Sequence, residues 1–275
     1  MEFIRNQKYK ISINEIGGGL NSIIDLESKK ELIHEVNDGG WIYQDIMIFP
    51  FIGKYDYFYK NINYKTSSRH GFLRNKKLSF AKINENSILG TYESNNLDLL
   101  EYPFKFKILI KYELIDDKYN VNIEVFNLDN KTMPYSLGNH LGIKTNENSY
   151  IDLKNNNKLL PLKDGLIDLK PETFPYNEFC LKKEIFQKYD TIVLINKTHE
   201  LKLVTLTHKF IYNFDSPLFA IWQNPSTNNF ICIEPWWGIA SYINEDNNIE
   251  KRYLINKLEP GQSKSYSFSL TILKN

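Results

Sequence analysis

The chain has 275 residues, 42% hydrophobic, 14% aromatic and 24% charged, and its 34 Lys+Arg against 33 Asp+Glu leave a formal charge of +1. That balance excludes the strongly basic face with which proteins meet nucleic acid or a membrane surface, and 30 of the 34 cations are lysines spread along the chain. Cys180 and Cys232 are too few for a disulfide framework or a zinc set, and neither an apolar N-terminal stretch nor a run of ~18 apolar residues is present, so the expected location is the cytoplasm.

In chain order, Gly17-Gly18-Gly19 ahead of Leu20, Ile23 and Ile24 reads as a turn between the first two strands. No phosphate-loop lysine and no βαβ pattern follows, so the run does not indicate nucleotide binding. His34, after Leu32 and Ile33, reads as a structural strand residue, and Asp38-Gly39-Gly40, Pro50 and Gly53 punctuate what comes next. In Ser67-Ser68-Arg69-His70-Gly71-Phe72-Leu73-Arg74 two guanidinium groups and an imidazole gather beside a glycine whose backbone freedom would let a ligand approach. A structural loop histidine is the competing reading of His70. Leu97 to Leu100 reads as a short helix. Phe104, Phe106, Ile108, Ile110, Tyr112 and Leu114 then alternate with mostly charged residues, Asp116-Asp117-Lys118 turns, and Tyr119, Val121, Ile123 and Val125 resume. Period two on both sides of a turn predicts an antiparallel hairpin.

Further on, His140 lies between glycines in Ser136-Leu137-Gly138-Asn139-His140-Leu141-Gly142, which suggests a site as readily as a core position. The Asn-rich stretch 146–157 reads as a loop, Asp164-Gly165 as a turn, Glu184 to Tyr189 as a short helix, and His199 and His208 as surface groups. None of the five histidines has paired metal-ligand spacing, so no metal is expected. In Phe230-Ile231-Cys232-Ile233-Glu234-Pro235-Trp236-Trp237-Gly238 a carboxylate follows an apolar run, where burial without a partner is costly. A Glu at a strand end facing water is the plain reading, and the two tryptophans weaken it. Aromatic faces beside a carboxylate suit a sugar ring, and their desolvation raises the carboxyl toward the range of a general base. Strand alternation lets only one of Trp236 and Trp237 line a cleft. Pro260-Gly261 turns into a last alternating strand, Tyr266, Phe268, Leu270 and Ile272. Frequent turns between short antiparallel strands, without linker or repeat, predict an all-β sandwich or barrel, read as one domain over residues 1–275.

Ile48-Phe49-Pro50-Phe51-Ile52-Gly53, the Arg69–Arg74 segment, Met133-Pro134-Tyr135-Ser136-Leu137-Gly138-Asn139-His140 and Ile233-Glu234-Pro235-Trp236-Trp237-Gly238-Ile239-Ala240, in this order and spacing, resemble the aldose 1-epimerase (galactose mutarotase) family and its bacterial LacX-like branch. The resemblance implies a large antiparallel β-sandwich and an isomerase that interconverts the α and β anomers of a free aldose without a cofactor. It implies Glu234 as catalytic base, His140 as catalytic acid and His70 as a second active-site histidine. Arg69 or Arg74 matches the sugar-binding arginine, and Asp215, in Asn213-Phe214-Asp215-Ser216-Pro217, the hydroxyl-binding aspartate. The partner would be a small sugar, and the protein a monomer or homodimer. One departure stands out: where the family has Pro and soon an aromatic after the catalytic His, this chain has Leu141, Gly142 and Ile143. Three alternatives compete. A hexose-6-phosphate 1-epimerase needs a cation cluster, and the only arginines are Arg5, Arg69, Arg74 and Arg252, although lysine could substitute. A non-catalytic carbohydrate-binding protein on the same scaffold has no need of an acid–base pair. A glycoside hydrolase requires two carboxylates, and one candidate is evident.

Overall fold

Period-two alternation sets the strands. Phe106–Ile115 and Lys118–Asn127 pair antiparallel from Phe106↔Asn127 to Ile115↔Lys118, closing on Asp116 with φ 50°. Phe106, Ile108, Ile110, Tyr112 and Leu114 turn inward on one strand, and Tyr119, Val121, Ile123 and Val125 on its partner. The computed structural model describes residues 2–36, 41–224 and 226–275; Asp38-Gly39-Gly40 lies outside them.

This hairpin is the middle of a nine-stranded sheet that also carries Ser263–Lys274, His208–Phe214 and Glu200–Val204 on one side and Ser87–Glu93 and Ser79–Asn84 on the other. A seven-stranded antiparallel sheet runs Glu172–Thr173, Lys158–Leu160, Thr191–Ile195, Leu218–Trp222, Phe230–Trp237, Leu137–Lys144 and Asp45–Ile48. Side chains of both sheets, among them Ile108 and Val121 from one and Ile231, Ile233 and Ile143 from the other, share one buried cluster. The fold is therefore an all-β antiparallel sandwich. The seven-stranded sheet also buries its other face, where Ile46, Ile48, Leu218, Ala220 and Trp236 meet Ile52, Ile167 and Ile239, with Trp41, Tyr43 and Tyr242 packed against them. A sheet buried on both faces can hold polar side chains away from bulk water on the second one.

The short helices fall at Asp98–Glu101 and Lys183–Tyr189, within a residue or two of the segments the sequence marks. Three readings need correction. Gly17-Gly18-Gly19 joins the second and third strands, Tyr9–Ile13 and Leu20–Asp25, because Glu2–Arg5 forms a strand of its own. The Asn-rich stretch contains the strand Tyr150–Asp152, which pairs with Glu178–Cys180 and Glu200–Val204. His208 is buried, its Nε2 3.4 Å from Asp25, which also pairs with Lys274 at 3.2 Å; His199 is exposed, as expected.

Candidate active site

Leu137–Lys144 and Phe230–Trp237 are neighbouring antiparallel strands, with Leu141 opposite Ile233 in the sandwich core. Their alternate residues, His140 and Gly142 on one and Glu234 and Trp236 on the other, consequently share the outer face. There His140 Nε2 lies 3.2 Å from Glu234 Oε1, with both side chains buried. The His70 ring stands edge-on to His140, centroids 5.4 Å apart. Three side chains far apart in sequence thus converge.

His70 arrives from a loop and has φ 66°, the left-handed region that a non-glycine residue adopts only when its surroundings impose it. The His70 amide donates to the Gly53 carbonyl at 2.6 Å, and the Gly53 amide donates back to His70 Nδ1 at 3.3 Å. An accepting Nδ1 places the proton of the neutral ring on Nε2. Burial, helped by the Arg69 and Arg74 charges, pushes His70 down to about 3, so at neutral pH it is a neutral hydrogen-bond donor.

Gly71 plays a part different from the one its freedom suggests. Its φ is 72°, and a Cβ there would overlap the Phe49 carbonyl and sit 2.7 Å from Pro50 N. Chain packing beneath His70, not the approach of a ligand, requires the glycine. Gly71→Ala combines left-handed strain with a backbone overlap, each worth about 1–3 kcal/mol. Its thermal midpoint is expected to fall by roughly 5–15 °C in calorimetry; a midpoint within about 2 °C of the parent would refute the steric account.

Glu234 accepts the Trp236 indole N–H on Oε2 at 3.2 Å. Burial raises its carboxyl to about 8, against that hydrogen bond and the Arg69 charge. Burial also drives His140 well below the usual imidazole value, with His70, Arg74 and Arg69 adding in the same direction. Near neutral pH the pair therefore holds one proton between two atoms in contact. The Arg74 guanidinium sits over the Tyr43 ring, its Cζ 3.8 Å from the ring centre, and its Nη1 donates to the Arg69 carbonyl at 3.1 Å. Its Nε is buried without a partner among the described residues. Arg69 is exposed.

The two tryptophans divide as strand alternation requires. Trp236 joins Glu234 on the outer face, whereas Trp237 turns into the sandwich core, packs against Tyr266 and donates to Asp215 at 2.8 Å. Asp215 is exposed and borders a groove on the nine-stranded sheet with Asn120, Asn122 and Ser267. The structure thus does not bring Trp237 or Asp215 to the Glu234–His140 pair, contrary to what the resemblance implies for Asp215.

Sequence reasoning missed several neighbours. The Trp41 indole stacks on the His140 ring with centroids 4.7 Å apart and planes 27° from parallel, and Trp222 meets His140 edge-on at 6.0 Å. Trp222 carried a signal, being two residues beyond Ala220 and four beyond Leu218 on an alternating strand. Trp41 and Tyr43 lie outside regular structure, where no periodicity marks them. Beside His140, the Asn139 amide donates to Asp45 at 2.6 Å, and Leu20 N–H donates to the same carboxylate at 2.8 Å. Burial pushes Asp45 up to about 6. Among the described residues no group of three or more His, Cys, Asp or Glu side chains is placed to hold a metal.

Known proteins resemble this chain along nearly its whole length. The family model described as aldose 1-epimerase matches residues 2–271. The LacX protein of Lactococcus lactis subsp. lactis is 24% identical over 98% of both chains. The structure of a galactose mutarotase related enzyme from Lactobacillus acidophilus superposes with a TM-score of 0.91 at 29% identity, covering 98% of this chain and 96% of that one. A galactose 1-epimerase from the same species shares the fold at a TM-score of 0.78 and 11% identity, covering 99% and 94%.

Proposed function

The chain belongs to the aldose 1-epimerase family, and from that premise we propose that it is a mutarotase, interconverting the α and β anomers of a free aldose by acid–base ring opening. The observation that carries this reading is the buried contact of 3.2 Å between Glu234 and His140. In a pyranose, the hydroxyl oxygen O1 and the ring oxygen O5 are both bonded to C1, so a base and an acid in contact can serve both at once. Glu234 takes the O1 proton, the C1–O5 bond breaks with its electrons going to O5, and His140 gives O5 a proton. The open aldehyde turns about C1–C2, and the same two groups close the ring in reverse order, leaving the enzyme as it began. His70 Nε2–H donates to a sugar oxygen, the unpartnered Arg74 Nε and the exposed Arg69 offer further donors, and Trp236 presents an apolar wall to ring C–H groups.

Two features favour catalysis over simple binding. An ionisable pair buried on an apolar face is destabilising relative to apolar side chains, and a binder gains nothing from it that neutral donors would not supply. His70 is also held in one tautomer by the backbone of another loop. Polarimetry on a panel of freshly dissolved α-aldoses tests the proposal. The protein is expected to accelerate the drift in optical rotation of at least one of them severalfold over its spontaneous rate; an unchanged drift across the panel would overturn it.

A further inference from the structure

The outer face of Leu137–Lys144 has a gap directly beside His140. Gly142 follows two residues later on the same face, and a Cβ there would stand 3.0 Å from Trp41 Cζ3, 3.2 Å from His34 Cβ and 3.4 Å from the Gln44 carbonyl. The indole therefore occupies the space that any other residue at 142 would fill. From that seat it lies face to face with the imidazole. Two contacts hold it from behind: its carbonyl is 2.9 Å from His34 Nε2, and its ring is offset-stacked on Phe230, 14° from parallel. His34 itself stacks on Phe230 at 4.0 Å. His34, Phe230, Trp41 and His140 thus form one continuous run of stacked rings.

We propose that Trp41 is a positioning residue for the acid–base pair: seated over Gly142, its indole fixes the plane of the His140 ring and draws the proton shared with Glu234 onto the imidazole. The catalytic consequence rests on the mutarotase reading; the coupling of Trp41 to His140 does not. The physical basis is that an imidazolium over an aromatic face is attracted by the ring quadrupole, most strongly where water is excluded, whereas a neutral imidazole stacks there without that charge term. The other charged or titratable groups around His140 are Glu234 and Cys232 on the adjacent strand, His70, Arg69 and Arg74 on the loop before it, Asp45 at the strand on its other side, and Tyr43 and His34 against the indole. Of these, Glu234 attracts an imidazolium in direct contact, and the two arginines oppose it. Trp41 adds to the side of Glu234 without adding a charge.

Histidine-15N NMR at about pH 7, together with steady-state polarimetry, separates a π effect from simple cover. Trp41→Leu keeps apolar cover and removes the π face; Trp41→Phe keeps both in smaller form. The expected result for Trp41→Leu is a change in the His140 ring-nitrogen shifts, as the ring leaves its fixed plane against Glu234, and a kcat lowered about 3- to 30-fold, the range a desolvated cation–π contact supports, with KM changed much less. Trp41→Phe should recover most of both. Gly142→Ala, which displaces the indole by one methyl group, should move both readouts in the direction of Trp41→Leu and serves if that variant does not fold. Unchanged ring-nitrogen shifts in Trp41→Leu, or equal losses in the Leu and Phe variants, overturn the proposal. A parent protein without polarimetric activity would remove the mutarotase reading instead, while the nitrogen shifts, which need no sugar, still decide on Trp41.

Discussion

Glu234→Gln is expected to lower kcat by about 10²–10⁴-fold with a small change in KM, because the proton it takes is transferred only on the way to the open chain. The substitution preserves shape, and the new amide oxygen can still accept the Trp236 N–H that Oε2 accepts at 3.2 Å. Its effect on stability should have the opposite sign. In the unfolded chain Glu234 ionises near its ordinary value of 4.5, whereas burial holds the folded carboxyl protonated up to about 8. The folded state thus loses stability as pH rises from 4.5 to 8, and a glutamine, which never ionises, escapes that loss. A variant melting above the parent at pH 7–8 while nearly inactive separates a chemical role from damage to the fold. His140→Asn should lose activity to a similar degree, and the double variant should lose far less than the product of the two, since base and acid act as one unit. Polarimetric kcat for the four proteins decides this. Glu234→Gln with parental kcat, or strictly multiplicative losses, would remove Glu234 from the role of base.

The sequence made the fold legible wherever a single face was buried. Phe106–Ile115 and Lys118–Asn127 read correctly because alternation and a two-residue turn leave one register open. The strand Tyr150–Asp152 is hidden among asparagines because three residues are too short to display a period. His208 differs: it opens the run His208, Phe210, Tyr212, Phe214, whose alternation places it inside against the usual exposure of a polar side chain. At the site, His70, His140 and Glu234 stood out because each is a titratable group set among glycines or aromatics. Trp41, Tyr43 and Asp45 did not: their place depends on pairings such as Asp45↔Leu141 and on an indole crossing to a glycine a hundred residues away. Long-range steric fit of this kind leaves no local pattern. Gly142 stands out in the sequence as a departure, yet what fills its space is set by the three-dimensional fold alone.

The pH dependence of kcat carries the last large effect, and burial inverts the usual assignment of its limbs. For a free carboxylate base and imidazole acid, the acidic limb would belong to the carboxylate and the basic limb to the imidazole. Here Glu234 is raised to about 8 and His140 is driven well below its ordinary 6.5. The pair gains a second proton only as pH falls through the lowered range of His140, and it gives up the shared proton as pH rises through about 8. Both one-proton forms lie on the reaction path, since ring opening moves the pair's proton from His140 to Glu234 and ring closure returns it. A bell-shaped profile follows, broad through neutrality, with kcat falling about tenfold per pH unit above ~8 and again well below 6.5. His70, held near 3, contributes no limb between them. In Glu234→Gln the residual rate should lose the limb near 8, because the group that gives up its proton there is gone. A parent profile that falls already between pH 6 and 7 on its basic side, or a basic limb unchanged in Glu234→Gln, would show that the proton does not reside on this pair.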